Sequence, residues 1–204
     1  MQIAGYILLG YLSGSILYAR VFTRLFGKEE MIDLSKDQNP GTANAFMYGG
    51  FWCGLLTLVC DIGKAFFPVF LFMRSAGQLR PGVLATSLVL AAPVVGHVFP
   101  LFYRLKGGKG IAATFGSLLG LFPALKPAII LAVFFIFFSV ILRVSPHFYR
   151  TLAAYICALL CMMLCVDRPA VSLGFAIITA AVCIRMHASA EEREKMKVKL
   201  LWMH

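Results

Sequence analysis

Apolar residues along this chain are gathered into long runs, and polar residues fall mostly between them. A helix needs about 20 apolar residues to cross the hydrocarbon core of a bilayer. Most of the runs approach that length, so the pattern predicts about seven transmembrane helices, of which the fourth and the seventh are shorter than usual. The predicted segments are 2–21, 51–73, 83–103, 111–121, 128–142, 148–166 and 170–184.

Two polar interruptions organise the chain between these runs. One is a polar first loop over residues 24–50, and the other is a basic, glycine-rich turn over residues 104–110. Two proline breaks, at Pro123 and Pro127, separate the short fourth run from the fifth. With no internal repeat or low-complexity linker in the sequence, we expect a single domain over residues 1–204 that ends in a tail at 185–204.

Composition supports a membrane bundle and excludes other classes of protein. Hydrophobic residues make up 60% of the 204 residues, and the mean hydropathy is +0.85, whereas soluble domains contain about 45–50% apolar residues. The net charge of +10 does not indicate a nucleic-acid partner, because the basic residues cluster at the ends of the apolar runs. We therefore expect an all-α, polytopic membrane protein. The first run has no small-residue cleavage site after it, which predicts an uncleaved span.

The positions of the basic residues predict how the bundle is oriented. If the N-terminus lies outside, fourteen of the 19 Lys and Arg residues fall on the cytoplasmic side and four fall outside. Such an excess of positive charge is typical of cytoplasmic loops. The first loop, the glycine-rich turn and the C-terminal tail would then share the cytoplasmic face. We interpret the charged stretch 191–199 as an amphipathic helix at the membrane surface.

The glycine-rich turn is the first candidate for chemistry. Gly107, Gly108 and Gly110 can bring bare backbone N–H groups close to a ligand, and Lys109 adds an ammonium group among them. This combination suits a phosphate, especially where a helix begins directly after the turn. The spacing is not that of a Walker A loop. A tight helix–helix connection with interfacial lysines explains the pattern equally well.

Ionisable residues inside the apolar runs are a second candidate. Asp61 and Lys64 lie one helical turn apart, close enough to form an ion pair. Charges within a span are costly and usually face a partner or a polar cavity, so either a structural pair or a functional pair fits. His97 is near the end of its run; a lone histidine is more often a packing residue, but its nearness to the Lys109 turn makes it a candidate.

The first loop carries a third polar element. The residues Asn39, Gly41, Thr42 and Asn44 can present a hydroxyl, two carboxamides and backbone N–H groups, as a polyol or phosphate site needs. An isolated Asn-Pro-Gly turn explains this stretch equally well. The cysteines, with three of the six spaced i, i+4, i+8 from Cys157, have no paired C-x-x-C units, and we interpret them as packing residues without metal or disulfide.

Taken together, these elements resemble a known family. The stretch GHVFPLFYRLKGGKGIAATFG (residues 96–116), with Gly14-Ser15, NPGTAN (residues 39–44) and Asp61-x-x-Lys64, is similar to the bacterial acyl-phosphate:glycerol-3-phosphate acyltransferases, the PlsY family. The resemblance is good over roughly residues 5 to 120. It implies a seven-span enzyme of the cytoplasmic membrane that needs no cofactor, metal or obligate protein partner. The implied reaction transfers an acyl group from acyl phosphate to the 1-hydroxyl of glycerol 3-phosphate, giving lysophosphatidic acid and phosphate.

The resemblance also implies roles for individual residues. Lys109 and the Gly107–Gly110 backbone would hold one phosphate, and His97 would orient a phosphate or donate to an oxyanion. Ser15 and Ser145 would make polar contacts in the catalytic site together with His97 and Lys109. Substrate or phosphate would be bound by the loop residues Asn39, Gly41, Thr42 and Asn44 and, outside the loop, by Asp61, Lys64 and His187.

The sequence also departs from the family pattern. In the first loop, Asp37, Gln38 and Met47 stand where the family has serine, glycine and arginine, and the asparagine that follows the C-terminal histidine is missing. Loss of an arginine removes a bidentate phosphate contact, for which Lys36 is a possible substitute. The alternatives are therefore a homologue that acts on another phosphorylated polyol, an inactive descendant, or a small membrane transporter.

Overall fold

A computed structural model describes residues 2–30, 34–35, 39–189 and 195–200 as a bundle of helices. A short 3-10 turn at Leu101–Tyr103 follows α5, and a π-helical turn at Phe137–Ile141 extends α7. The helices are α1 (Gln2–Gly14), α2 (Tyr18–Leu25), α3 (Thr42–Gly49), α4 (Phe51–Leu79), α5 (Val83–Val98), α6 (Ile111–Leu119), α7 (Lys126–Ile136), α8 (His147–Cys165) and α9 (Pro169–His187).

The helical bundle confirms the prediction of a polytopic, all-helical membrane protein. Five segments of the described chain are long and apolar enough to cross a bilayer, namely Gln2–Leu25, Phe51–Leu79, Val83–Tyr103, His147–Cys165 and Pro169–His187. The segment Lys126–Ile141 is apolar but shorter, and α6 has nine residues. A count of seven spans and the sides on which the termini lie remain predictions.

The prediction of a helix over residues 191–199 is wrong for the part that the structure describes. Lys197–Val198 forms a short strand, β2, which pairs antiparallel with β1 (Val144–Ser145). The backbone N–H of Lys199 also donates to the carbonyl oxygen of Arg143, at 3.4 Å. The extended tail thus forms backbone hydrogen bonds with the loop before α8, and this pairing favours a strand over a helix here. Residues 191–194 lie outside the described residues.

Helix α5 occupies the centre of the bundle, where it packs against both α1 and α9. Its Leu90 and Val94 belong to a buried apolar core that also holds Tyr155 from α8 and Phe175 from α9. The rings of Tyr155 and Phe175 stack with their centroids 5.6 Å apart, and the Tyr155 hydroxyl donates to Thr114 Oγ1 at 2.8 Å. This bond satisfies the buried phenol and ties α8 to α6.

The contact between α1 and α5 depends on glycines. A Cβ atom added to Gly14 would overlap the backbone carbonyl of Pro93, and one added to Gly96 would overlap the carbonyl of Tyr11. Small residues allow helix backbones to approach closely in a membrane, where packing rather than water exclusion drives association. The close contact fixes the end of α5, and therefore His97, relative to the first span.

Candidate active site

A cavity of about 870 Å³ opens among α3, α4, α6, the end of α7 and the start of α8. Its volume lies within the roughly 300–1,000 Å³ of small-molecule sites. The polar or charged side chains that line it are Asn39, Thr42, Asn44, Tyr48, Asp61, His97, Lys109, Ser139, His147 and Arg150. Its apolar lining includes Phe46, Met47, Leu58, Ile62, Ile111, Phe115 and Phe135. A ligand with both a charged group and a long apolar group matches this mixed lining.

The first-loop element lies at the cavity, next to the start of α3. The backbone carbonyl of Asn39 accepts two hydrogen bonds, from the Asn44 side-chain Nδ2 and from the Gly41 N–H, both at 2.8 Å. These bonds fold the loop into a compact turn. Thr42 begins α3, and its buried hydroxyl lies beside the Asp61 carboxylate in the cavity wall. A buried hydroxyl in a cavity wall is suited to a bound ligand.

The glycine-rich turn differs from the prediction at two of its three glycines. The N–H groups of Gly107 and Gly108 were expected to face a phosphate, but they donate to the carbonyl oxygens of Val98 and His97, at 3.2 and 3.1 Å. The turn therefore folds back onto the end of α5. A Cβ on Gly108 would overlap the imidazole Nε2 of His97, so this position holds glycine because the backbone contacts the ring.

Lys109 and Gly110, the last two residues of the turn, line the cavity. Gly110 has a positive φ of 83°, which a residue with a side chain rarely adopts, and α6 begins directly after it. The turn thus places the Lys109 side chain in the cavity wall, where it is 8% exposed. The dipole at the start of α6 favours an anion in the same place.

The predicted Asp61–Lys64 ion pair is confirmed and extends to His97. The Lys64 Nζ lies 2.7 Å from Asp61 Oδ1 and 2.8 Å from His97 Nδ1. It also donates to the carbonyl oxygen of Ile16. All three ionisable side chains are buried, and we refer to them as the buried triad.

The contacts of Lys64 within the buried triad bear on the protonation of His97. Its charge is neutralised by Asp61, it hydrogen-bonds within the protein, and it is not part of the cavity lining. Because the ammonium donates to His97 Nδ1, the neutral imidazole carries its proton on Nε2. Lys64 therefore contacts His97, which does line the cavity, and a phosphate-binding role for Lys64 remains a prediction.

Several other predicted site residues lie away from the cavity lining. The buried Ser15 hydroxyl donates to Tyr11 O at 2.8 Å and accepts from the Leu101 N–H at 3.2 Å, so it joins α1 to the segment after α5. Ser145 lies in β1, and His187 is exposed at the end of α9. Lys36, like Asp37 and Gln38, lies outside the described residues. Roles for these residues remain predictions.

Sequence reasoning missed three residues around the cavity. His147 and Arg150 line it from the first turn of α8, and Arg185 of α9 donates from Nε to the Gly107 carbonyl at 2.9 Å. The i, i+3 spacing of His147 and Arg150 was a usable signal, because such residues share one face of a helix. Nothing local to Arg185 indicated its contact with a turn far away in the sequence.

Comparison with known proteins agrees with this geometry. The profile of the family described as "Glycerol-3-phosphate acyltransferase" matches residues 4–195. A glycerol-3-phosphate acyltransferase of Pseudomonas paraeruginosa is 39% identical over 125 residues, which span 61% of this chain and 62% of that protein. One from Aliivibrio salmonicida is 30% identical over 197 residues, 96% of each chain.

A solved structure has the same fold. The glycerol 3-phosphate form of PlsY (YgiH), an integral membrane glycerol 3-phosphate acyltransferase, superposes with a TM-score of 0.76 at 24% identity, covering 92% of this chain and 89% of that one. The lysophosphatidic acid form of PlsY gives a TM-score of 0.71 at 23% identity, covering 91% and 88%. These likenesses establish the fold, and the profile match over residues 4–195 establishes the family. The chain belongs to the glycerol-3-phosphate acyltransferase family.

Proposed function

We propose that this protein transfers an acyl group from an acyl phosphate to the 1-hydroxyl of sn-glycerol 3-phosphate. The observation that carries this proposal is the cavity, which joins Lys109 and the Asn39–Asn44 turn to a wall of apolar side chains. A phosphate and an acyl chain need such different surroundings within one site. Family membership and the substrate named for the relatives support the same reaction.

The reaction fits a site that works by positioning and charge. The glycerol 1-hydroxyl oxygen bonds to the acyl carbonyl carbon, the bond between that carbon and the phosphate oxygen breaks, and the hydroxyl proton passes to the departing phosphate. The products are lysophosphatidic acid and inorganic phosphate. An acyl phosphate is already an activated mixed anhydride, so the reaction requires neither a covalent enzyme intermediate nor a cofactor.

Each cavity element has a role in this scheme. Lys109 neutralises a phosphate, and the Nε2–H of His97 donates to a phosphate oxygen or to the developing oxyanion. The Thr42 hydroxyl and the carboxamides of Asn39 and Asn44 hold the glycerol phosphate. Lys64 and Asp61 keep His97 in its donor tautomer. The acyl chain lies along the apolar wall.

The proposed location is the cytoplasmic membrane, with the N-terminus outside and the cavity on the cytoplasmic side. The strong excess of Lys and Arg that this orientation places in the cytoplasm supports it. Water-soluble glycerol 3-phosphate then reaches the polar lining from the cytoplasm, while the acyl chain enters from the bilayer. We propose that the protein acts without an obligate protein partner.

The test uses purified protein in lipid with palmitoyl phosphate and glycerol 3-phosphate. Phosphate and lysophosphatidic acid are measured together, and Lys109→Ala is compared with Lys106→Ala. Lys106 is an exposed residue of the same turn that does not line the cavity, so it is a matched control. We expect equal amounts of both products, a loss of about 100-fold or more in Lys109→Ala, and near-normal turnover in Lys106→Ala.

The other outcomes separate the remaining alternatives. Phosphate release without lysophosphatidic acid would mean that another phosphorylated polyol is the acceptor, and the altered loop position Met47 lines the cavity where such a change would act. Binding of the acyl phosphate with no turnover would indicate an inactive descendant. Movement of solute across the bilayer without products would indicate a transporter.

A further inference from the structure

Among the described residues, one lysine and one arginine line the cavity, and they come from different parts of the fold. Lys109 belongs to the turn before α6, and Arg150 belongs to the first turn of α8. The proposed reaction brings two phosphate groups into the cavity, one on each substrate. Each phosphate carries more than one negative charge near neutral pH. One ammonium group cannot compensate both, so a second cation is needed.

The side of the cavity formed by α3 supplies no such cation. This helix has the sequence TANAFMYG and contains no charged residue. Its Met47 side chain lines the cavity and is 69% exposed, but a thioether carries no charge and has no donor. Among the described residues, the Lys and Arg side chains that line the cavity therefore come from outside α3.

The Arg150 side chain is held in place by a neighbouring histidine of α8. Its Nη2 lies 2.8 Å from His147 Nδ1, and the other ring nitrogen of His147, Nε2, lies 3.4 Å from Thr151 Oγ1. A guanidinium only donates, so His147 Nδ1 is the acceptor and Nε2 carries the proton of the neutral ring. The contact uses one of the five N–H donors of the arginine. The histidine thus orients a planar donor group whose shape matches phosphate.

We propose that Arg150, positioned by His147, is a phosphate-binding residue of this cavity and supplies a cation that α3 lacks. The inference rests on the proposed function, because it assigns the second phosphate of that reaction. Arg150 lies in the first turn of α8, where the helix dipole also favours an anion. The ligand is the phosphate group of glycerol 3-phosphate or of the acyl phosphate, and kinetics distinguish the two.

The main experiment measures KM for each substrate separately in Arg150→Met, Arg150→Lys and Arg143→Met. Arg143 is an exposed arginine near the same end of α8 and is not part of the cavity lining, so it controls for general surface charge. We expect Arg150→Met to raise one of the two KM values about 10- to 100-fold, since a charge-assisted hydrogen bond is lost. Arg150→Lys should show a smaller increase, and Arg143→Met should match the wild type.

A rescue experiment tests the geometric part of the proposal. In the double variant Met47→Arg/Arg150→Met, the new guanidinium enters the same cavity from α3. We expect it to recover at least about tenfold of the lost KM effect. If the double variant behaves like Arg150→Met alone, Met47 and Arg150 do not serve the same phosphate, and that part of the proposal is overturned.

Three further results would overturn the role of Arg150. One is an Arg150→Met enzyme with both KM values unchanged. Another is a raised KM in Arg150→Met that is matched by an equal rise in Arg143→Met. The role is overturned in this case if Arg150→Met has also lost thermal stability while a normally folded Arg150→Lys has wild-type kinetics. The third is an effect of Arg150→Met that disappears in vesicles of purely zwitterionic lipid, which would mean that the arginine binds lipid headgroups.

Failure of the proposed function can be told apart from failure of this inference. If the wild-type protein makes no lysophosphatidic acid, binding of glycerol 3-phosphate and of inorganic phosphate is measured by calorimetry in the same lipid. Weaker binding in Arg150→Met than in Arg143→Met supports the phosphate-binding role without turnover. Equal binding in the two variants contradicts it.

Discussion

Two groups of charged residues near the cavity differ in where their cations lie. In the buried triad, Lys64 is paired with Asp61 and bonded to His97 and to a backbone carbonyl, all within the bundle. Lys109 and Arg150 instead line the cavity, from a turn and from the start of a helix. Lys64 is not part of the cavity lining, whereas Lys109 and Arg150 are, where the phosphates of the proposed substrates would bind.

This difference separates residues that stabilise the fold from residues that bind. A buried ion pair is costly to break, because removal of one partner leaves an uncompensated charge in a medium of low polarity. A cation in the cavity wall lies where a substrate phosphate would bind, so we expect its removal to act mainly on binding. The same substitution, Lys to Met, should therefore have opposite consequences at the two sites.

The largest expected effect is on the stability of Lys64→Met. This variant leaves the Asp61 carboxylate buried without its partner, and we expect the free energy of unfolding to fall by about 3–5 kcal/mol. Thermal unfolding in lipid or detergent measures it. The double variant Asp61→Asn/Lys64→Met should recover most of the loss, and Lys109→Met should lose less stability than Lys64→Met. Equal destabilisation by the two lysine variants would remove the distinction between the sites.

A second prediction concerns the link between the triad and the turn. In Gly108→Ala the new Cβ overlaps Nε2 of His97, so either the turn or the imidazole must move. We expect a loss of about 1–3 kcal/mol of stability together with a turnover at least about tenfold lower. Gly82→Ala, where a Cβ meets open space, is the control. Normal turnover in Gly108→Ala would show that the orientation of His97 does not matter to the reaction.

A third, smaller effect is expected at Arg185, which anchors the turn from α9. Its Nε–H donates to the Gly107 carbonyl at 2.9 Å, and the side chain is half-buried. Arg185→Met should cost about 1 kcal/mol of stability and raise the KM of the substrate that Lys109 is proposed to bind. Arg168→Met, exposed at the other end of the same helix, is the matched control. An effect of equal size in both variants would count against a specific anchor.

The smallest predicted effect is on acyl-chain preference. Phe115 and Phe135 line the cavity with ring centroids 6.1 Å apart, and Phe115→Ala enlarges the apolar wall there. We expect the kcat/KM ratio of stearoyl phosphate to myristoyl phosphate to rise about 3- to 10-fold. Phe102→Ala, an exposed phenylalanine that does not line the cavity, should leave the ratio unchanged. An unchanged ratio in Phe115→Ala would place the acyl chain elsewhere.

The sequence predicted the helices well because their cause is local. A continuous apolar run must satisfy its backbone hydrogen bonds internally within a bilayer, so each run forms a helix wherever its neighbours lie. The ion pair between Asp61 and Lys64 was predictable for the same reason, since i, i+3 spacing places both on one helical face. The presence of His97 and Lys109 in one cavity followed from the short segment between them.

Features that depend on distant contacts could not be read from the sequence. The glycine-rich turn suggested N–H groups aimed at a ligand, but Gly107 and Gly108 donate to the end of α5, and only the folded turn reveals this. The position of Arg150 beside the cavity depends on how α8 docks, and the contact of Arg185 depends on α9. The extended tail residue Lys197 pairs with Ser145, a partner that no local pattern identifies.

The glycine contact between the first span and α5 has a consequence for biogenesis. Gly14 packs against the backbone at Pro93, and Gly96 packs against the backbone at Tyr11. Much of the packing partner of α1 is therefore α5, a helix that is synthesised later. During synthesis, the first span enters the bilayer before that partner leaves the ribosome. Its glycine face must be covered meanwhile by lipid, by the intervening α4 or by the insertion machinery. Assembly of the active site therefore waits for the ribosome to pass α5.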